Sequence, residues 1–92
     1  MAFCTVVEWD SDVTEALRAL AGNDAPPAGS LARIVGASDK GTYAIELWSS
    51  GEDARRFAES SAPALAQSTL PPPTRVDGFE TSSWFLRAAE SG

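Results

Sequence analysis

Across residues 42–58, TYAIELWSSGEDARRFA, the hydrophobic pattern changes period, from strict alternation to helical spacing, at Ser49, Ser50 and Gly51. In the alternating part Tyr43, Ile45 and Leu47 project to one face of a strand and Ala44, Glu46 and Trp48 to the other. Because the second set ends in a tryptophan, both faces need cover. The expected arrangement puts Tyr43 under the helices and turns Glu46 and Trp48 to the opposite face. Ser49, with Glu52 three residues on, predicts a capping-box helix start. The helix stripe is then Ala54, Phe57, Ala58, Ser61, Ala62 and Leu65, which leaves Glu52, Asp53, Arg55, Arg56 and Glu59 to water.

The same patterns place the other elements. Residues 3–9, FCTVVEW, form a strand with alternate sets Phe3, Thr5, Val7, Trp9 and Cys4, Val6, Glu8. Asp12 with Glu15 opens a helix whose stripe is Val13, Ala16, Leu17, Leu20 and Ala21 and which Gly22 ends. Residues 23–30, NDAPPAGS, are a loop, and residues 31–37, LARIVGA, a strand whose only charge is Arg33. Ser38 to Gly41 is a tight hairpin connection with glycine available for positive φ. Pro63 is expected to end or kink the second helix, and Leu70-Pro71-Pro72-Pro73 to act as a stiff connector rather than a proline-rich ligand. Residues 74–86 read as a long last strand with a bulge or bend at Gly78, followed by a frayed tail over 87–92.

The order β-α-β-β-α-β, joined by right-handed crossovers, predicts one α+β domain over residues 1–92, ferredoxin-like, with a four-stranded antiparallel sheet and two helices on one face. The other face carries too much apolar surface to leave in water, so the economical arrangement is a homodimer whose two sheets face each other across a shared cavity, where a small molecule would bind.

Composition narrows the function. A chain of 92 residues hides only roughly 60–65% of its unfolded surface if it stays alone. Seven basic and thirteen acidic residues, net −6, disfavour nucleic acid and anionic membrane surfaces as partners. The amino terminus, MAFCTVVEWDSD, has neither a basic leader nor a membrane span, which points to the cytoplasm. Cys4 has no disulfide partner and reads as a packed, inert thiol. With no histidine, no cysteine pair and no glycine-rich phosphate loop, neither a metal nor a cofactor is expected.

The run EL-W-S-S-G-E-D-A-R-R-F, together with the length and element order, resembles the dimeric α+β barrel superfamily, in particular the antibiotic-biosynthesis-monooxygenase-like domains. In those domains a third strand ending E-x-W-x-S leads into a helix with an aromatic residue at the position of Phe57. Members include cofactor-free monooxygenases that oxidise aromatic polyketides to quinones, polyketide cyclases, haem-degrading enzymes and proteins with no known activity. The resemblance implies a dimeric α+β barrel and makes Trp48 the counterpart of a cavity-lining tryptophan. The haem-ligating histidine has no counterpart here, and Val7 stands nearest to the asparagine that such enzymes carry on the first strand.

Two functions follow. One is a small cofactor-free tailoring enzyme, a monooxygenase or cyclase acting on an aromatic or polyketide-like molecule, with Glu46 and Trp48 catalytic. Glu46 would take a proton from a phenol or anthrone so that the anion reacts with dioxygen, and the Trp48 indole N–H would donate to the oxyanion. Arg33, Thr5, Val7, Glu8, Trp9 and Trp84 are the expected substrate-binding residues, only one of Glu8 and Trp9 reaching the cavity. The other is a noncatalytic homodimeric module that binds a hydrophobic metabolite or serves assembly, in which Glu46 pairs with Arg33 across the hairpin.

Overall fold

The structure is a computed structural model that describes residues 1–21 and 26–85. The helix stop at Gly22, the first part of the 23–30 loop, Leu86 and the tail over 87–92 lie outside the described residues. The elements are β1 (Phe3–Trp9), α1 (Thr14–Ala21), β2 (Ser30–Ser38), β3 (Gly41–Trp48), α2 (Gly51–Gln67) and β4 (Arg75–Glu80). They form a four-stranded antiparallel sheet in the order β2-β3-β1-β4 with two helices, an α+β architecture compatible with the ferredoxin-like fold.

Strand ends and caps show where local chemistry acts. Gly41 takes φ +139° at the start of β3, the positive φ that the hairpin residue was expected to supply. The α2 cap lies one residue later than predicted: the Ser50 hydroxyl accepts from the Asp53 amide, so Ser50 and Asp53 replace Ser49 and Glu52. At α1, Asp12 accepts from the amide and hydroxyl of Thr14 instead of pairing with Glu15, whose carboxylate takes Arg18. Pro63 does not end α2, which runs on to Gln67. The missing N–H costs one bond, to the Glu59 carbonyl, on an exposed stretch where water can serve that oxygen. β4 is shorter than expected and keeps an unbroken register through Gly78 opposite Thr5. Gly78 is there for close approach, not for a bulge: a Cβ would stand 2.9 Å from the ring of Phe3.

Opposed residues in an antiparallel ladder share a face, so the registers divide the sheet into two sets. Phe3, Thr5, Val7 and Trp9 share a face with Thr42, Ala44, Glu46 and Trp48, and with Arg33, Val35, Val76 and Gly78. This is the helix side. Trp48 is 2% exposed with its ring centroid 5.3 Å from that of Phe57 on α2, and Gly51 at the start of α2 lies over Phe3. At the other end Thr42, fully buried, accepts from the Val13 amide just before α1 and donates to the Ser11 carbonyl. Trp9, also buried, donates to the Pro71 carbonyl and so pins the proline connector to β1. The core is Trp9, Val13, Trp48 and Ala54, along the central strands; Val35 and Val76 on the edge strands lie beyond the helices and are exposed.

The second face holds Cys4, Val6, Glu8, Tyr43, Ile45, Leu47, Ala32, Ile34, Arg75, Asp77 and Phe79, and none of these is buried. The faces are therefore the reverse of the expectation. Tyr43 stands on the open side, while Glu46 and Trp48 stand on the helix side. Alternation separates two sets but does not say which one the helices cover, and α2 folds back over the strand it has just left, onto Trp48.

Candidate functional site

Glu46 lies directly opposite Arg33 in the β2–β3 register, and the two side chains meet, Arg33 Nε donating to Glu46 Oε1 at 3.0 Å. The other carboxylate oxygen accepts from the Ser30 hydroxyl at 2.5 Å. A register shift between Ser30 and Ala32 brings this about: Leu31 has no partner on β3, which lets Ser30 lie opposite Trp48 and reach back to Glu46. Glu46 is 12% exposed and Arg33 38%, so the pair sits at the rim of the helix side with the carboxylate inward. Around it Pro26, Ser30, Leu31, Ala32, Arg33 and Glu46 enclose a half-open hollow of about 160 Å³.

Trp48 belongs to the packed interior behind this rim. Its indole N–H donates to the Thr5 hydroxyl at 3.1 Å, and its ring fills the space under Phe57. The expected catalytic pair is thus on one face, as the i, i+2 spacing requires, but in different surroundings. Glu46 reaches a hollow with both oxygens engaged, while the Trp48 donor is satisfied inside the core. Both Glu46 oxygens already accept a hydrogen bond, and a satisfied indole has no hydrogen bond left for an oxyanion.

The remaining candidates are dispersed. Thr5 is used by Trp48, and Trp9 by Pro71. Val7 lies on the helix side between Ala44 and Val76. Glu8 faces the open side and pairs there with Arg75 at 3.2 Å, Arg75 also reaching Asp77. Trp84, beyond the end of β4, is 48% exposed. Of the eight candidates only Arg33 and Glu46 share a hollow.

Sequence reasoning missed a second polar cluster, at the α2 N-terminus. Asp53 accepts from the hydroxyls of Ser49 and Ser50, and the Ser49 amide donates to the Gly29 carbonyl, tying the segment before β2 to the start of α2. These two hydroxyls, with Arg56 close by, hold the Asp53 carboxyl below its ordinary value. The signal was present as Ser-Ser-x-x-Asp at residues 49–53. Cys4 stands on the open face instead of inside the core, and partial burial raises its thiol above its ordinary value. Among the described residues no group of three or more metal-ligating side chains converges, and no helix is long and apolar enough to cross a membrane.

No protein-family model matches this chain, and no curated protein is similar to it.

Proposed function

We propose that the chain is a noncatalytic homodimeric module, assembled by pairing the open faces of two sheets. One observation carries the reading: the centre of that face is Cys4, Val6, Ile34, Ile45, Leu47 and Phe79, without a charge among them, and no described element covers it. Four strands about 4.8 Å apart, with about seven residues each at ~3.3 Å, make a face of roughly 19 by 23 Å. That planar area, about 440 Å² before side-chain relief, is roughly half of the ~800 Å² per partner of a standard interface and falls in the range of an interaction patch. Apolar patches of this size on a small protein mark interaction sites.

A second copy suits the face better than an unrelated partner. Its charged margin of Glu8, Arg75 and Asp77 is already internally paired, so two copies can meet without stripping water from an unpaired charge. A two-fold contact of one patch with itself is also the commonest soluble assembly. The resemblance to the dimeric α+β barrel superfamily supports the same pairing. The tailoring-enzyme reading loses support because Glu46 and Trp48 stand on the helix side, where Trp48 packs under Phe57, and not on the open face where its cavity was expected.

Light scattering on the intact chain at tens of micromolar tests the proposal. The expected mass is twice 9.7 kDa. Ile34 and Phe79 are 63% and 48% exposed in a lone chain, so Ile34→Glu and Phe79→Glu should leave a folded monomer and abolish the dimer. A monomeric parent protein would sink the assembly, and an oxidase or cyclase activity lost in Glu46→Gln would overturn the noncatalytic half.

A further inference from the structure

We propose that the hollow beside Arg33 is a binding site for a small monocyclic organic carboxylate, held by the outer edge of the Arg33 guanidinium. The hollow lies on the helix side of the sheet, away from the face assigned to pairing, so the inference stands independently of the dimer.

Three features build the site. The Arg33 side chain is anchored through Nε on Glu46 Oε1 at 3.0 Å, and Glu46 is in turn held by Ser30. The two terminal nitrogens of the guanidinium have no acceptor among the described residues, which leaves a fork of donors free on a side chain that lines the hollow. Such a fork matches the two oxygens of a carboxylate, and an anchored fork gives up less side-chain freedom on binding than a loose one. Second, the walls beyond the fork are apolar. Leu31, left without a partner on β3 by the register shift and 40% exposed, stands there with Pro26. Third, the volume sets the size: about 160 Å³ is close to the ~150 Å³ cavity that takes one benzene. A single ring fits; a fused polyketide does not.

Charge narrows the class further. Glu46 already neutralises Arg33, and the chain carries net −6, so a dianion such as a phosphate monoester meets a carboxylate behind the guanidinium and a negative protein around it. A monoanion placed on the far edge of the guanidinium meets the cation first. A neutral ring keeps the apolar contact but lacks the paired acceptors.

A nitrogen-15 NMR titration of the intact chain tests this, with benzoate as the probe and benzyl alcohol and phenyl phosphate as comparisons. The expected result is saturable shifts confined to the amides of residues 30–33 and 46 and to the Arg33 side-chain Nε, with a dissociation constant on the order of 1 mM. Benzyl alcohol and phenyl phosphate should each bind at least roughly tenfold more weakly. Arg33→Lys retains the charge facing Glu46 but loses the fork, and should weaken benzoate by about tenfold or more in a protein whose spectrum shows it folded. The monomerised Phe79→Glu variant should bind benzoate as the parent does, which separates this site from the pairing reading. Absence of saturable shifts, shifts centred elsewhere, equal binding of the comparisons, or undiminished binding by Arg33→Lys would each overturn the proposal.

Discussion

The indole N–H of Trp48 donates to the hydroxyl of Thr5 at 3.1 Å across the β1–β3 seam, beneath α2. The donor is 98% removed from water with its ring, so Thr5 is the group that makes this burial affordable. Thr5→Val retains the shape but strands the N–H. The expected loss is about 1–3 kcal/mol in urea unfolding. In the background of Trp48→Phe, which removes the donor, the same Thr5 substitution should cost much less.

Gly41 enters β3 at φ +139°, and a Cβ there would stand 1.9 Å from the Trp9 carbonyl oxygen, a backbone atom that cannot yield. Gly41→Ala should therefore destabilise by about 3 kcal/mol or more. Gly36, on the same hairpin with nothing within 4 Å of its would-be Cβ, is the control. Its replacement by alanine should stay within ~0.5 kcal/mol of the parent.

Glu46→Gln preserves an acceptor for Ser30 but removes the charge opposite Arg33. Arg33 is more than a third exposed and solvates itself when unpaired, so the expected cost is below about 1 kcal/mol, read as a small drop in thermal midpoint.

Acid should loosen the β3–α2 junction. The hydroxyls of Ser49 and Ser50 depress the Asp53 carboxyl below its ordinary value of 3.8. A depressed carboxyl contributes stability that is fully present above the unfolded value and is lost as pH falls through the folded one. Asp53→Asn should then be less stable than the parent near neutral pH. The two urea midpoints should converge as pH is lowered from about 6 to about 2.5. A constant gap across that range would show that the carboxylate's charge has no part in the junction.

The types and order of the six elements were legible in the sequence, and so were their positions apart from the length of β4 and the end of α2, because local period, caps and turn residues are set by neighbours along the chain. The span 3–9 matches β1 in full, and the switch at Ser49 to Gly51 marks the β3–α2 turn. The Arg33–Glu46 pair was legible too, since a tight hairpin sets the register of its two strands and so which side chains lie opposite. The side of the sheet that the helices cover was not. Tyr43, Ile45 and Leu47 form the more continuous apolar set, yet the face under α2 is the one with Ala44, Glu46 and Trp48, because Trp48 meets Phe57 only when α2 folds back over its own strand. Nor could the sequence show that Thr5, four strand residues from Trp9 and more than forty from Trp48, satisfies the buried indole, or that the Ser30–Ala32 shift opens a hollow beside Arg33. Alternation along a strand determines two sets of side chains; only the packing of distant elements decides which set is buried and which is left facing outward, since that choice depends on how the helices cross the sheet and not on any local period.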